Sequence, residues 1–365
     1  MSTLAIQELT LFSWAYLNIL TKKRYDFLLS EFGNLENAWE NVNETLLRKL
    51  GCKEQTIGRV LAEKRALKSE EALGALEAEN VHFLTIEDEE YPELLRNIAD
   101  PPVFLFGKGD LSLLTQPSIA LVGTRDMSPY GKRVVEAIVP DLVRANMVTV
   151  SGLALGIDAE VAKKTMTSNG KHTAVLGHGL GAIYPRTHTH LAKEIVDKGG
   201  LLLSEYPPHV TPDIYTFPAR NRIIAGLTLG TVVLEAASQS GSLITASLAL
   251  EYGREIFAIP GQIFDPHFTG THELIAKGCA KLIQNATDIL RELGVVLPEG
   301  TTQSLYKAQT PDEHTLLRVL HSLPQSGEDL MEKSGLPIAT VHATLTLMEL
   351  KGGAKNVGAG MWIKA

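Results

Sequence analysis

Ser118-Ile-Ala-Leu-Val-Gly-Thr-Arg125 is an apolar run closed by a glycine turn, and an amphipathic stretch near Gly131–Ala145 follows it. The run does not alternate as a half-solvated strand would, so it suits a strand covered on both faces. The same three-part unit recurs downstream. Met147–Val150 leads through Ser151-Gly-Leu-Ala-Leu-Gly-Ile-Asp158 into a helix ending near Ser168, and His172–Leu176 leads through Gly177-His-Gly-Leu-Gly181 into a helix around His188–Lys198. Leu201–Ser204, Thr231–Leu234 and Glu255–Ile259 read as further buried strands, and Val103–Phe106 as a short strand between loops at Asp100-Pro-Pro102 and Gly107-Lys-Gly109. Strands alternating with helices predict an α/β domain with a mostly parallel sheet and helices on both faces. Ligands of such sheets sit beyond the carboxyl ends of the strands, where these glycine turns fall.

The flanks read differently. Residues 1–80 suggest short helices, with Leu9, Phe12, Tyr16, Leu17 and Leu20 at helical spacing and Leu46–Leu50 stopped by Gly51. Leu50-Gly-Cys-Lys-Glu-Gln-Thr-Ile57 resembles a helix–hairpin–helix turn, though an ordinary turn of a helical bundle explains it as well. Residues 81–295 form the α/β domain, and 296–311, with small polar residues and two prolines, read as a linker. In residues 312–365, helices at Asp312–His321, Gly327–Lys333 and Ile338–Leu350 before Gly352-Gly353 and Trp362-Ile363 describe a winged helix. Its recognition helix carries neither Lys nor Arg, which favours a protein-contacting module over a DNA reader.

The 365 residues carry 34 Lys and Arg against 42 Asp and Glu, a net charge of −8. The acidity is N-terminal: residues 1–100 hold 11 basic and 18 acidic side chains, whereas residues 101–307 hold 18 of each. The average therefore leaves room for a basic cleft in the middle domain. Two isolated cysteines exclude a disulfide scaffold and fit a reducing compartment. No apolar run approaches the length of a membrane span, and Glu8 interrupts the first apolar pattern, so the expectation is a soluble cytoplasmic protein without a signal peptide.

Several chemistries fail on their own patterns. Gly177-x-Gly179-x-x-Ala182 matches a dinucleotide fingerprint, but Pro185 follows at once and no acidic residue ends a second strand about 20 residues on. No phosphate-binding P-loop and no Gly-x-Ser-x-Gly elbow occurs. His172, His178, His188 and His190 lack a carboxylate or Cys to complete a metal site and read as exposed polar residues. Glu235 is an acid/base candidate without a visible second carboxylate. Anion binding remains. Backbone amides of Gly123-Thr124-Arg125, Ser151-Gly152 and Ser240-Gly241-Ser242 are expected to converge on one rim near helix N-termini, where Arg125 could grip a phosphate. Phe217-Pro-Ala-Arg-Asn-Arg222 adds a ring to stack a base, Arg220 and Arg222 for phosphates, and Asn221 for a base edge or sugar. The competing reading makes this segment a structural loop, its arginines paired to Glu205 or Glu235.

These turns, with Val175-Leu-Gly177, Ile183-Tyr-Pro185, Glu235-Ala-Ala-Ser-Gln-Ser-Gly-Ser-Leu-Ile-Thr-Ala246, Pro260-Gly261 and Gly270-Thr-His-Glu-Leu-Ile275, closely resemble the DNA-processing protein A (DprA/Smf) family of bacteria, in order and spacing. The resemblance implies an extended Rossmann fold between an N-terminal domain like a sterile alpha motif and a C-terminal winged helix. It implies a homodimer that binds single-stranded DNA, without cofactor, metal or catalysis, and helps load the recombinase RecA during natural transformation. Carried over by motif, Arg125, Ser151, Gly152, Phe217, Arg220, Asn221, Arg222 and the turn from Ser240 to Thr245 would line the DNA pocket. Where the family commonly has Ala-His, this chain has Ala162-Lys163-Lys164, and a Lys there keeps or strengthens the positive charge. Gly181, His190 and His272 depart from an acidic residue and two asparagines. The alternative is a nucleotide N-glycosidase, like the phosphoribohydrolases that resemble this fold. Their phosphate loop has a second glycine and a Glu that Gln239-Ser-Gly-Ser-Leu-Ile-Thr-Ala246 lacks.

Overall fold

A computed structural model describes residues 3–295, 306, 308–321 and 323–364. The chain divides into two compact units, Met1–Pro298 and Glu299–Ala365. In the first, nine strands form one sheet: β1 (Val81–Thr85), β2 (Phe104–Gly109), β3 (Ser118–Gly123), β4 (Val148–Ser151), β5 (His172–Val175), β6 (Leu201–Ser204), β7 (Gly230–Glu235), β8 (Glu255–Ala258) and β9 (Lys281–Leu282). Their spatial order is β1-β2-β6-β5-β4-β3-β7-β8-β9. The seven from β6 to β9 run parallel, and β2 and β1 extend the β6 edge antiparallel. From β3 the chain builds outward through β4, β5 and β6, then returns to lay β7 on the other side of β3. The order of the strands thus reverses between β3 and β7, which opens a crevice beyond their carboxyl ends.

The apolar runs are buried on both faces, as alternation along β3 shows. Ile119 and Leu121 join one core with Val135, Ile138 and Leu142 of the helix Pro129–Arg144. Ala120 and Val122 join another with Ile195, Ile223, Ile224 and Ala246 from helices on the opposite face. This second core runs on into six N-terminal helices, where Phe12 meets Phe83 of β1 edge to face at 6.0 Å and Trp14 is fully buried. The 80/81 junction falls between the helix Ser69–Ala78 and β1. At the candidate helix–hairpin–helix turn, the amides of Gly51 and Cys52 donate to the carbonyls of Arg48 and Leu47, so neither faces a phosphate.

In the second unit, helices Pro311–Val319, Gly327–Ser334 and Ile338–Leu350 pack with a three-stranded sheet, ordered Gln325–Ser326, Met361–Lys364, Ala354–Asn356. Two capping boxes, Thr310 with Glu313 and Ser326 with Asp329, start its first two helices. Leu316, Leu330, Val341, Leu345, Met348 and Trp362 fill its core, and the arrangement is a winged helix. Most of the expected 296–311 linker lies outside the described residues; Pro311 already begins a helix. Among the described residues, no helix is long and apolar enough to cross a membrane.

Candidate functional site

The crevice beyond β3 and β7 has a volume of about 670 Å³. Its first wall is the β3 turn. The β3–β7 register slips after Val122, so that Gly123 pairs with Glu235 and the Thr124 amide donates to the Glu235 carbonyl at 2.7 Å. Arg125 then projects, exposed, into the crevice. Its charge acts on the buried Asp158 carboxylate below, but among the described residues no carboxylate stands at ion-pair distance from it. The second wall is Gln239–Ser242 with Thr245, at the start of the helix Ser242–Glu251. Ser240 and Ser242 hydroxyls meet at 2.8 Å there.

The third wall corrects the loop reading of Phe217–Arg222. These residues belong to the helix Thr216–Leu227, whose first turn tolerates Pro218 because an N–H is unneeded there. One helical face presents Phe217, Arg220, Asn221 and Ile224 to the crevice. Arg220 is 5% exposed and forms the floor. Its Nη1 donates to the carbonyl of Gly152 at 2.8 Å and to that of Val175, and its Nε donates to Asn221 Oδ1 at 3.2 Å. Burial lowers its pKa to about 10, against the opposing pull of Asp158. Asp158 begins the helix Ile157–Thr167 and accepts from the Gly152 amide at 2.9 Å and the Ala154 amide at 3.4 Å. Burial raises its carboxyl, while Arg220 and the two amides pull it back. Gly152 makes room for this guanidinium: a Cβ there would stand 2.2 Å from Arg220 Nη2 and displace it.

Of the residues expected at the site, Gly123, Thr124, Arg125, Phe217, Arg220, Asn221, Ser240, Gly241 and Thr245 line this crevice. The other five do not. Ser151 and Gly152 are buried beneath it, where they hold Asp158 and Arg220. Lys163 and Lys164 lie on the helix Ile157–Thr167 outside the lining. Arg222, one helical step from Asn221, points away into a two-pronged pair with Glu205 at 2.6 and 2.7 Å. Sequence reasoning missed Asp158 and Tyr184 as lining residues, although Asp158 ends one motif it singled out and Tyr184 lies within another.

Glu235 is fully buried and turned toward the helix Pro129–Arg144, accepting from the Ser128 amide at 3.1 Å and from the Ser128 hydroxyl at 3.0 Å. Burial pushes its carboxyl up, and the Ser128 bonds oppose that shift. The histidines depart from the exposed reading. His172, His178 and His188 are buried. His172 lies between Thr149 and Ser151 of β4, at 2.8 and 3.3 Å, and burial lowers its pKa to about 3. Among the described residues no group of three or more His, Cys, Asp or Glu is arranged to hold a metal.

Residues 82–294 match the family profile described as DNA recombination-mediator protein A, and residues 301–360 match that of the DprA winged helix domain. Protein Smf of Escherichia coli (strain K12) is 37% identical over 330 residues, 88% of this chain and 87% of that protein. The X-ray structure of DNA processing protein A from Streptococcus pneumoniae is 37% identical with a TM-score of 0.64, covering 77% of this chain and 96% of that one. A Helicobacter pylori DNA processing protein A structure, described for its single-stranded DNA binding mode, is 31% identical with a TM-score of 0.53, covering 58% of this chain and 95% of that one.

Proposed function

Since the chain belongs to the DNA recombination-mediator protein A (DprA/Smf) family, we propose that its crevice holds single-stranded DNA and that the protein acts as a recombination mediator. The observation that carries this reading is Arg125, an exposed cation with no carboxylate at ion-pair distance among the described residues, set between two glycine turns where the strand order reverses. A strand phosphate supplies the missing partner. The amides of Ser240, Leu243 and Ile244 are taken by the carbonyls of Ala237, Ser240 and Gly241, so the donors this turn offers are the Ser240 and Thr245 hydroxyls, at a helix N-terminus that favours negative charge. Phe217 and Asn221 face the same space and suit an unpaired base. Arg220 contributes from below, by positive potential, and Ser151 and Gly152 act by holding the floor in place. Lys163 and Lys164 would meet a strand where it leaves the crevice. The single-strand binding described for the Helicobacter pylori relative supports this assignment.

The finer reading follows from the family. The protein would work as a homodimer in the cytoplasm and hand single strands to RecA during natural transformation, without a cofactor or a catalytic step. An N-glycosidase would need a carboxylate free to reach a nucleotide from the β7 turn. Glu235, the residue at that place, is instead occupied by Ser128.

Fluorescence anisotropy with labelled single- and double-stranded oligonucleotides across a salt titration tests the assignment. Single strands are expected to bind more tightly, with affinity falling steeply as salt rises. Arg125→Ala should weaken single-strand binding about tenfold and flatten the logarithmic salt slope by about 0.7, the loss of one phosphate contact. Unchanged affinity and slope in that variant would remove the crevice from consideration.

A further inference from the structure

Tyr184 lines the crevice from a different segment than Phe217, the turn after β5 that closes with Pro185. Its side chain is half exposed. The two rings lie with centroids 5.6 Å apart and planes inclined by 40°. Both are held from behind. At Gly177 a Cβ would come within 3.0 Å of the Phe217 ring, so the absent side chain lets Phe217 settle against the end of β5. The Tyr184 segment is pinned through the Gly179 amide to the Val210 carbonyl at 2.9 Å and the Gly181 amide to the Pro208 carbonyl at 3.2 Å.

The spacing decides how a base can use these rings. A base clamped between two rings needs two van der Waals gaps of about 3.5 Å, hence roughly parallel planes about 7 Å apart. Rings 5.6 Å apart and tilted by 40° leave no such slot. They pack on each other and present the free face of Tyr184 to solvent. We propose that Tyr184 is the stacking surface for an unpaired base, with Phe217 as its backing, so that the crevice selects single strands by ring contact as well as by charge. This inference rests on the single-strand reading above and names a residue for it. A duplex keeps its bases stacked on one another and cannot offer a free face, whereas any base of a single strand can, which makes the contact tolerant of sequence.

The test compares wild type, Tyr184→Ala and Tyr184→Phe on a labelled deoxyoligonucleotide and on an abasic oligomer with the same number of phosphates. Tyr184→Ala is expected to weaken the base-bearing strand about tenfold without changing its salt slope, and to leave the abasic oligomer unaffected. Tyr184→Phe keeps the ring and should bind the base-bearing strand within about twofold of wild type. Because Tyr184 is half exposed, circular dichroism of Tyr184→Ala should match wild type. If Tyr184→Ala weakens both oligomers equally, or neither, the stacking role is overturned while an Arg125-dependent salt slope still stands. Absence of single-strand binding in the wild type overturns both readings at once.

Discussion

An Arg220→Ala variant is expected to lose about 3–5 kcal/mol of unfolding free energy at neutral pH, because it breaks a buried charge system and leaves the partners behind. The guanidinium is 5% exposed and donates to the carbonyls of Gly152 and Val175. Alanine leaves those acceptors without the charged donor that they have in the folded protein. It also removes the strongest influence that favours the Asp158 carboxylate. The pH dependence gives this cost a signature. Burial already raises Asp158 above its ordinary value, and loss of Arg220 raises it further. A carboxyl whose folded pKa exceeds its unfolded pKa, about 3.9, binds its proton more tightly in the folded state. Its contribution is therefore fully present below about pH 4 and is lost as pH rises through the folded pKa. The deficit of Arg220→Ala should be smaller at pH 5 than at pH 8, by urea unfolding. Gly152→Ala displaces the same guanidinium, so adding it to Arg220→Ala should cost much less than it does alone. A deficit below about 1 kcal/mol, equal at both pH values, would show that the floor tolerates the loss.

That two arginines two residues apart divide into a floor and a brace is not legible in the sequence. Arg220 and Arg222 share a motif, and only the helix that carries them sends one inward to Gly152 and the other to Glu205. The helix itself was obscured by Phe217-Pro218, which reads as a breaker until Pro218 is placed in a first turn. The central strands were legible because a parallel strand buried on both faces leaves a continuous apolar run, as in β3, β6 and β7. The edge strands were not. His82 of β1 is exposed and β9 is two exposed residues long, so neither leaves such a run. The buried histidines illustrate the same limit. His172 is satisfied by Thr149 and Ser151 from the neighbouring strand, a pairing over more than twenty residues that no local pattern announces. Glycine turns carried the site in part because a side chain at Gly123 or Gly152 would collide with Ile157 or Arg220, whereas Gly241 has open space around it. The exposure of Arg125 and the direction of Tyr184 are tertiary properties that those turns only permit.

Gly131 shows how far tertiary contact can reverse a local preference. It is the third residue of the helix Pro129–Arg144, where exchanging glycine for alanine ordinarily gains up to about 1 kcal/mol. Here Gly131→Ala is expected to lose about 2–4 kcal/mol. A Cβ at this position would stand 1.8 Å from Glu235 Oε2. That carboxylate has little room to retreat, because it is fully buried and holds the amide and hydroxyl of Ser128. The same hydroxyl accepts from the Gly131 amide at 3.0 Å, so the helix start, the cap and the carboxylate form one unit. Overpacking costs about 1–3 kcal/mol, and loss of hydrogen bonds to a charged group about 1.5–3 kcal/mol. The helical gain offsets only part of that sum. A double-mutant cycle isolates the cause. In a Glu235→Ala background the clashing oxygen is gone, so adding Gly131→Ala should be neutral or stabilising by urea unfolding. Gly131→Ala as stable as wild type would mean that the carboxylate shifts freely and that the helix start is not held by it.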